Sequence, residues 1–161
     1  MSSKVADVTT ARKRDTLDSI SATMSRIMRL SGSRSMFKRQ AAAAAVELSQ
    51  PSYMLLRVLA DEGPLPMGQL ARLAHMDLGM AARRVQSLQD DGMVARQPDS
   101  GDARKTVVEA TAAGNRAAAA LQEVRREHLQ RALAQWSADD LRQFDRLLAR
   151  FLADTTVTSI D

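Results

Sequence analysis

Apolar residues return every three to four positions through Leu17, Ile20, Met24, Ile27, Met28 and Leu30, the spacing of one helix face. Leu30-Ser31-Gly32-Ser33 interrupts the pattern, with the break placed at Gly32. A second helix is expected from about 34 to 46. Ser49 ahead of Pro51 reads as an N-cap with proline in the first turn. The helix behind it carries Tyr53, Leu55, Leu56, Val58 and Leu59, and Asp61-Glu62-Gly63-Pro64 ends it. A short helix over 67–74, a turn at His75-Met76-Asp77 and a helix over 78–90 follow, with Gly92 as the stop. Beyond Gly92 the period changes. Residues 93–97 and 105–109 read as strands around the turn formers Pro98-Asp99-Ser100-Gly101-Asp102, which predicts a hairpin. Thr111 caps a long helix over 112–135, and Ser137 opens a capping box for a last helix through Leu152. The polar residues 1–14 lack periodicity and are expected to form a flexible basic arm.

Composition supports a mainly α fold. Apolar residues make up 45% of the 161, but aromatic ones only 3%, so aliphatic side chains and methionine must build the core. The nine methionines are expected there as fillers of irregular gaps. Ala-rich runs such as AAAAAVEL favour helix. Four segments result: an arm at 1–14, N-terminal helices at 15–47, a lobe at 48–111 and C-terminal helices at 112–161.

Charge is distributed unevenly. Residues 1–46 hold nine basic and three acidic side chains, a net +6, whereas the other 115 residues net −2. A basic end beside a near-neutral body suits a polyanionic partner or a solvated tail. Cysteine is absent, which excludes disulfides and thiolate metal sites and fits a cytoplasmic location. His75 and His128 are too isolated for a metal site, and no cofactor is expected. No apolar run is long enough for a membrane span. Without a phosphate-binding glycine loop, an HExxH motif or a nucleophile elbow, the chain is not expected to be an enzyme.

A helix, a short helix, a turn, a helix and a two-stranded hairpin form, in that order, the layout of a winged helix-turn-helix. Within it, Leu48-Ser49, Leu70-Ala71, Leu88 with Gly92-Met93-Val94, Asp102-Ala103-Arg104 and Ala110-Thr111-Ala112-Ala113-Gly114 stand in sequence. Over residues 48–114 these features resemble the MarR family of transcription regulators. The resemblance implies a homodimer on a pseudo-palindromic double-stranded operator, acting as a repressor whose DNA affinity responds to a small aromatic or phenolic effector. The alternative is a winged helix used mainly for nonspecific nucleic-acid binding or protein association.

Candidate DNA contacts are Gly79, Met80, Arg83 and Arg84 on the helix after the turn, with Asp102, Arg104 and Lys105 at the wing tip. Arginine suits both guanine edges and narrow minor grooves. Leu78, Gly79, Met80, Ala81 and Ala82 at that helix's start are all apolar, so few hydrogen bonds to bases are expected there. The basic Arg12, Lys13, Arg14, Lys38 and Arg39 offer nonspecific phosphate attraction. The implied effector site draws on Arg34, Met36, Phe37, Tyr53 and Arg57. The implied dimer uses Leu17, Ile20 and Met24 at one end, and Leu141, Phe144, Leu148 and Phe151 at the other.

Overall fold

The computed structural model describes residues 2–98, 101–102 and 106–158. Its elements are α1 (Ser2–Ser31), α2 (Arg34–Ala43), α3 (Gln50–Glu62), β1 (Leu65–Pro66), α4 (Met67–Leu73), α5 (Leu78–Asp90), β2 (Val94–Pro98), β3 (Thr106–Ala110), α6 (Ala112–Ala132) and α7 (Ala138–Val157). They fall into two compact units, Met1–Val124 and Arg125–Asp161.

In the first unit, the cap chemistry sets the order of the elements. The Ser49 hydroxyl accepts the Ser52 N–H at 3.2 Å, with Pro51 in the first turn of α3. Four helices end on a positive-φ residue: α2 at Ala45 (53°), α3 at Gly63 (80°), α4 at His75 (53°) and α5 at Gly92 (69°). At the end of α4, Met76 N–H donates to Ala71 O at 2.9 Å and His75 N–H to Arg72 O at 3.1 Å, the double bond of a Schellman ending. Asp77 then caps α5 at once, its carboxylate accepting the Met80 N–H at 2.7 Å. Stop and start are thus fused within four residues, which fixes the turn between α4 and α5.

The main core joins Leu55, Leu56 and Leu59 of α3, Leu70 of α4, Val85 and Leu88 of α5, and Val94 and Val108 of the strands, all of them buried. A smaller cluster brings Phe37 and Ala41 of α2 against Tyr53 and Leu121. Its two rings lie 6.0 Å apart, and the Tyr53 hydroxyl donates to Gln122 Oε1 at 3.0 Å, which satisfies a buried polar tip. This cluster ties α2 and the first half of α6 to the lobe, so the compact unit is wider than the 48–111 segment expected from sequence. The sheet is antiparallel in the order β1-β3-β2, with Leu65 facing Val108 and Arg96 facing Val108 from the other side.

Several expected boundaries move. α1 begins at Ser2, so residues 2–14 are helical rather than an irregular arm. Alanine, lysine and arginine there favour helix without any apolar stripe to announce it. α2 stops at Ala43 instead of near 46, because Ala45 turns left-handed and Val46 N–H closes onto Ala41 O at 3.0 Å. β1 adds a third strand that the hairpin pattern does not contain. Two residues carry no period, and Pro66 sits on an edge, where it withholds no needed donor.

In the second unit, Ser137 and Asp140 form the expected capping box at the start of α7. Trp136 and Phe144 meet edge to face at 5.4 Å. α7 runs 20 residues without one buried side chain, although Leu141, Phe144, Leu147, Leu148, Phe151 and Leu152 line one side of it.

Candidate nucleic-acid interface

α5 is held to the lobe by Ala81, Val85 and Leu88, which enter the main core. At 3.6 residues per turn, Gly79, Arg83 and Gln86 lie on the opposite, exposed side. Arg83 leans back over the helix start. A Cβ added to Gly79 would stand 3.4 Å from Arg83 Nη1 and 3.3 Å from Asp77 Oδ1. Glycine at 79 therefore leaves room for a cation and a capping carboxylate above the first turn. Leu78 and Ala82 flank this side toward the wing, and Met80 and Arg84 flank it on the other.

The wing contributes Arg96. Along β2, residues 94, 96 and 98 share a face, and Val94 is buried while Arg96 is exposed. Arg96 leaves the core face just where α5 begins, and it borders a recess of about 560 Å³ with Leu78, Ala82, Met67 and Val108. Gln97 is hydrogen-bonded to Glu109 across the hairpin. Asp102 is half-buried near the tip. Arg104 and Lys105, expected as wing contacts, lie outside the described residues.

The other expected residues are spread across the lobe. Arg84 is not on the outward centre of α5 but borders an open cavity of about 840 Å³ beside His75 and Met76. Arg34 and Phe37, expected at an effector site, line that same cavity, with Leu48 and Met54. Met36, Tyr53 and Arg57 do not line it. Tyr53 is 1% exposed within its own cluster, and Arg57 is held by Asp61 at 2.7 Å. Leu17 and Ile20 are exposed on α1, with Met24 half-buried. Lys38, offered for phosphate attraction, also borders the 840 Å³ cavity.

Gln86 and Arg96 were not among the residues singled out from sequence. Gln86 repeats the Arg83 position one turn on, and its amide donates to Asp90 at 2.9 Å. Arg96 was legible only in the alternation along β2. Among the described residues, no group of three or more His, Asp or Glu side chains is placed to hold a metal ion, and no helix is long and apolar enough to cross a membrane.

Two helices joined by a capped turn, the second exposed along a basic side and flanked by a hairpin, define a winged helix-turn-helix of the DNA-binding type. Residues 48–106 match the MarR family. An uncharacterized HTH-type transcriptional regulator of Bacillus subtilis, YxaD, is 28% identical over 117 residues, which are 73% of this chain and 82% of that protein. A MarR family transcriptional regulator from Silicibacter pomeroyi superposes with a TM-score of 0.64 at 26% identity, over 86% of this chain and 90% of its own. The fold is also that of a MarR family protein from Bacillus stearothermophilus, with a TM-score of 0.70 at 20% identity over 93% and 97% of the two chains. The winged helix-turn-helix lobe at residues 48–106 is thus similar to the MarR family, and most of the chain is similar to transcriptional regulators.

Proposed function

We propose that the chain acts as a homodimeric repressor, placing one α5 in each half of a pseudo-palindromic operator and releasing it when a small aromatic anion binds. The observation that carries DNA binding is α5 itself. One face is locked into the core, and the opposite face presents Arg83 and Gln86 beside Arg96 of the wing. Arginine offers bidentate contacts to guanine or a charge for phosphate.

Dimerisation is supported by α7. A helix draws most of its stability from packing an apolar face, yet this one buries nothing within the described chain. A contiguous stripe including two phenylalanines, left in water, marks an association surface. The exposed Leu17, Ile20 and Ile27 of α1 give the other end a similar surface. A second copy covers such faces under two-fold symmetry.

Effector control is supported by the 840 Å³ cavity. Arg34, Lys38 and Arg84 supply cations, and Phe37, Met54 and Leu48 supply apolar walls, a pairing suited to an aromatic carboxylate or phenolate. His75 and Arg84 belong to the helix-turn-helix, so a ligand there bears directly on the reading helix. Coupling of this kind is reciprocal: DNA must weaken effector binding as much as effector weakens DNA binding.

A mobility-shift titration with the duplex upstream of the gene, at low salt, tests the reading. Retardation that weakens steeply with added salt is expected, and benzoate or hydroxybenzoate should reverse it. No retardation at low salt would overturn it, and equal affinity for random duplex would favour the nonspecific alternative.

A further inference from the structure

We propose that the first turn of α5 reads the C5-methyl groups of thymine in the major groove, through Leu78 and Met80. The proposal rests on the DNA-binding reading above and adds the chemistry by which sequence is chosen. Leu78 is 57% exposed and Met80 37%, and Gly79 between them has no side chain. No side chain in this turn can hydrogen-bond a base edge, and the Met80 N–H is already taken by Asp77. The Asp77 carboxylate also keeps a phosphate away from these amides. Among the groups a major groove displays, only the thymine methyl is apolar.

The surroundings argue for DNA as the occupant. Arg96 of β2 borders the same recess as Leu78, and the Arg83 guanidinium reaches back over Gly79, so two exposed cations stand beside the apolar turn. Such cations suit a polyanion and would repel the basic segment 1–46 of a second copy. The apolar surface also continues into the recess formed by Leu78, Ala82, Met67 and Val108, beside the wing. Arg83, drawn back over Gly79, supplies the polar contact next to the methyl-reading surface.

The test uses the full chain and a duplex enriched by it from a random pool. That duplex is then synthesised with deoxyuridine, which lacks only the C5-methyl, in place of every thymidine. Each methyl removed from water contributes about 0.8 kcal/mol, a factor of about four, so full replacement is expected to weaken binding roughly tenfold or more. 5-Bromodeoxyuridine, which restores bulk at C5, should restore affinity. In Leu78→Ala and Met80→Ala the deoxyuridine penalty should shrink, and in the double variant it should vanish. Binding of the deoxyuridine duplex within twofold of the parent would overturn the proposal. So would a penalty of equal size in wild type and double variant, since it would come from DNA shape. Failure to enrich any duplex would instead overturn the DNA-binding reading beneath it.

Discussion

Gly114 lies so close under Met93 that a Cβ placed on it would come within 2.1 Å of the Met93 carbonyl oxygen. The same place is tied by hydrogen bonds: Thr111 N–H donates to Met93 O at 3.0 Å, and the Thr111 hydroxyl donates to Gly92 O at 2.7 Å. That hydroxyl also accepts the Gly114 N–H at 3.2 Å. The Thr-x-x-Gly run after β3 is therefore a clamp. It seats the start of α6 on the junction between the reading helix and the wing.

Gly114→Ala is expected to destabilise the fold by about 3 kcal/mol or more, because the obstructing atom is backbone and cannot rotate away. Urea unfolding at fixed protein concentration measures it. A loss below about 1 kcal/mol would mean that α6 shifts without cost.

Thr111→Ala removes both hydroxyl bonds and should cost about 1–2 kcal/mol, while Thr111→Ser should recover most of it. The serine rescue separates the hydrogen bonds from the packing of the methyl group.

Asp77→Asn keeps an N-cap acceptor but removes a negative charge beside the groove. Stability should change little, and DNA affinity should rise several-fold at low salt, with the gain fading as salt is added. Asp77→Ala should instead lose about 1 kcal/mol of stability. Thermal unfolding and mobility shifts on the same preparations check both.

Leu148→Asp or Phe151→Asp places a charge in the middle of the α7 stripe. Sedimentation should show the wild-type chain as a dimer and these variants as monomers at micromolar concentration. A wild-type monomer would contradict the pairing of two copies.

Much of the fold was legible because local chemistry announced it. Ser49, Ser137 and Gly92 mark helix ends by means that need no tertiary partner, and they sit at those ends in the structure. Asp77 and His75 were harder to read. Their turn was legible, but a histidine in the left-handed position is not the usual glycine signal, and the aspartate cap follows it without a spacer. β1 was invisible because pairing with β3, and not its own two residues, makes it a strand.

The candidate site was legible in part for a related reason. Helical period places Arg83 outward, yet it equally places Arg84 off that centre, toward the cavity shared with Arg34 and Phe37. Tyr53 looked available for a ligand, but its hydroxyl is spent on Gln122, 69 positions away, which no local pattern can disclose.

The position of α5 on DNA can be tested most directly by exploiting the absence of cysteine. Gln86→Cys supplies a single thiol on the outward side of α5, to which an iron chelate that cleaves nearby DNA can be attached. On the enriched duplex, two cleavage clusters related by a dyad are expected, centred about 10 base pairs apart or a multiple of that. A single cluster, or cleavage spread evenly along the duplex, would contradict the account.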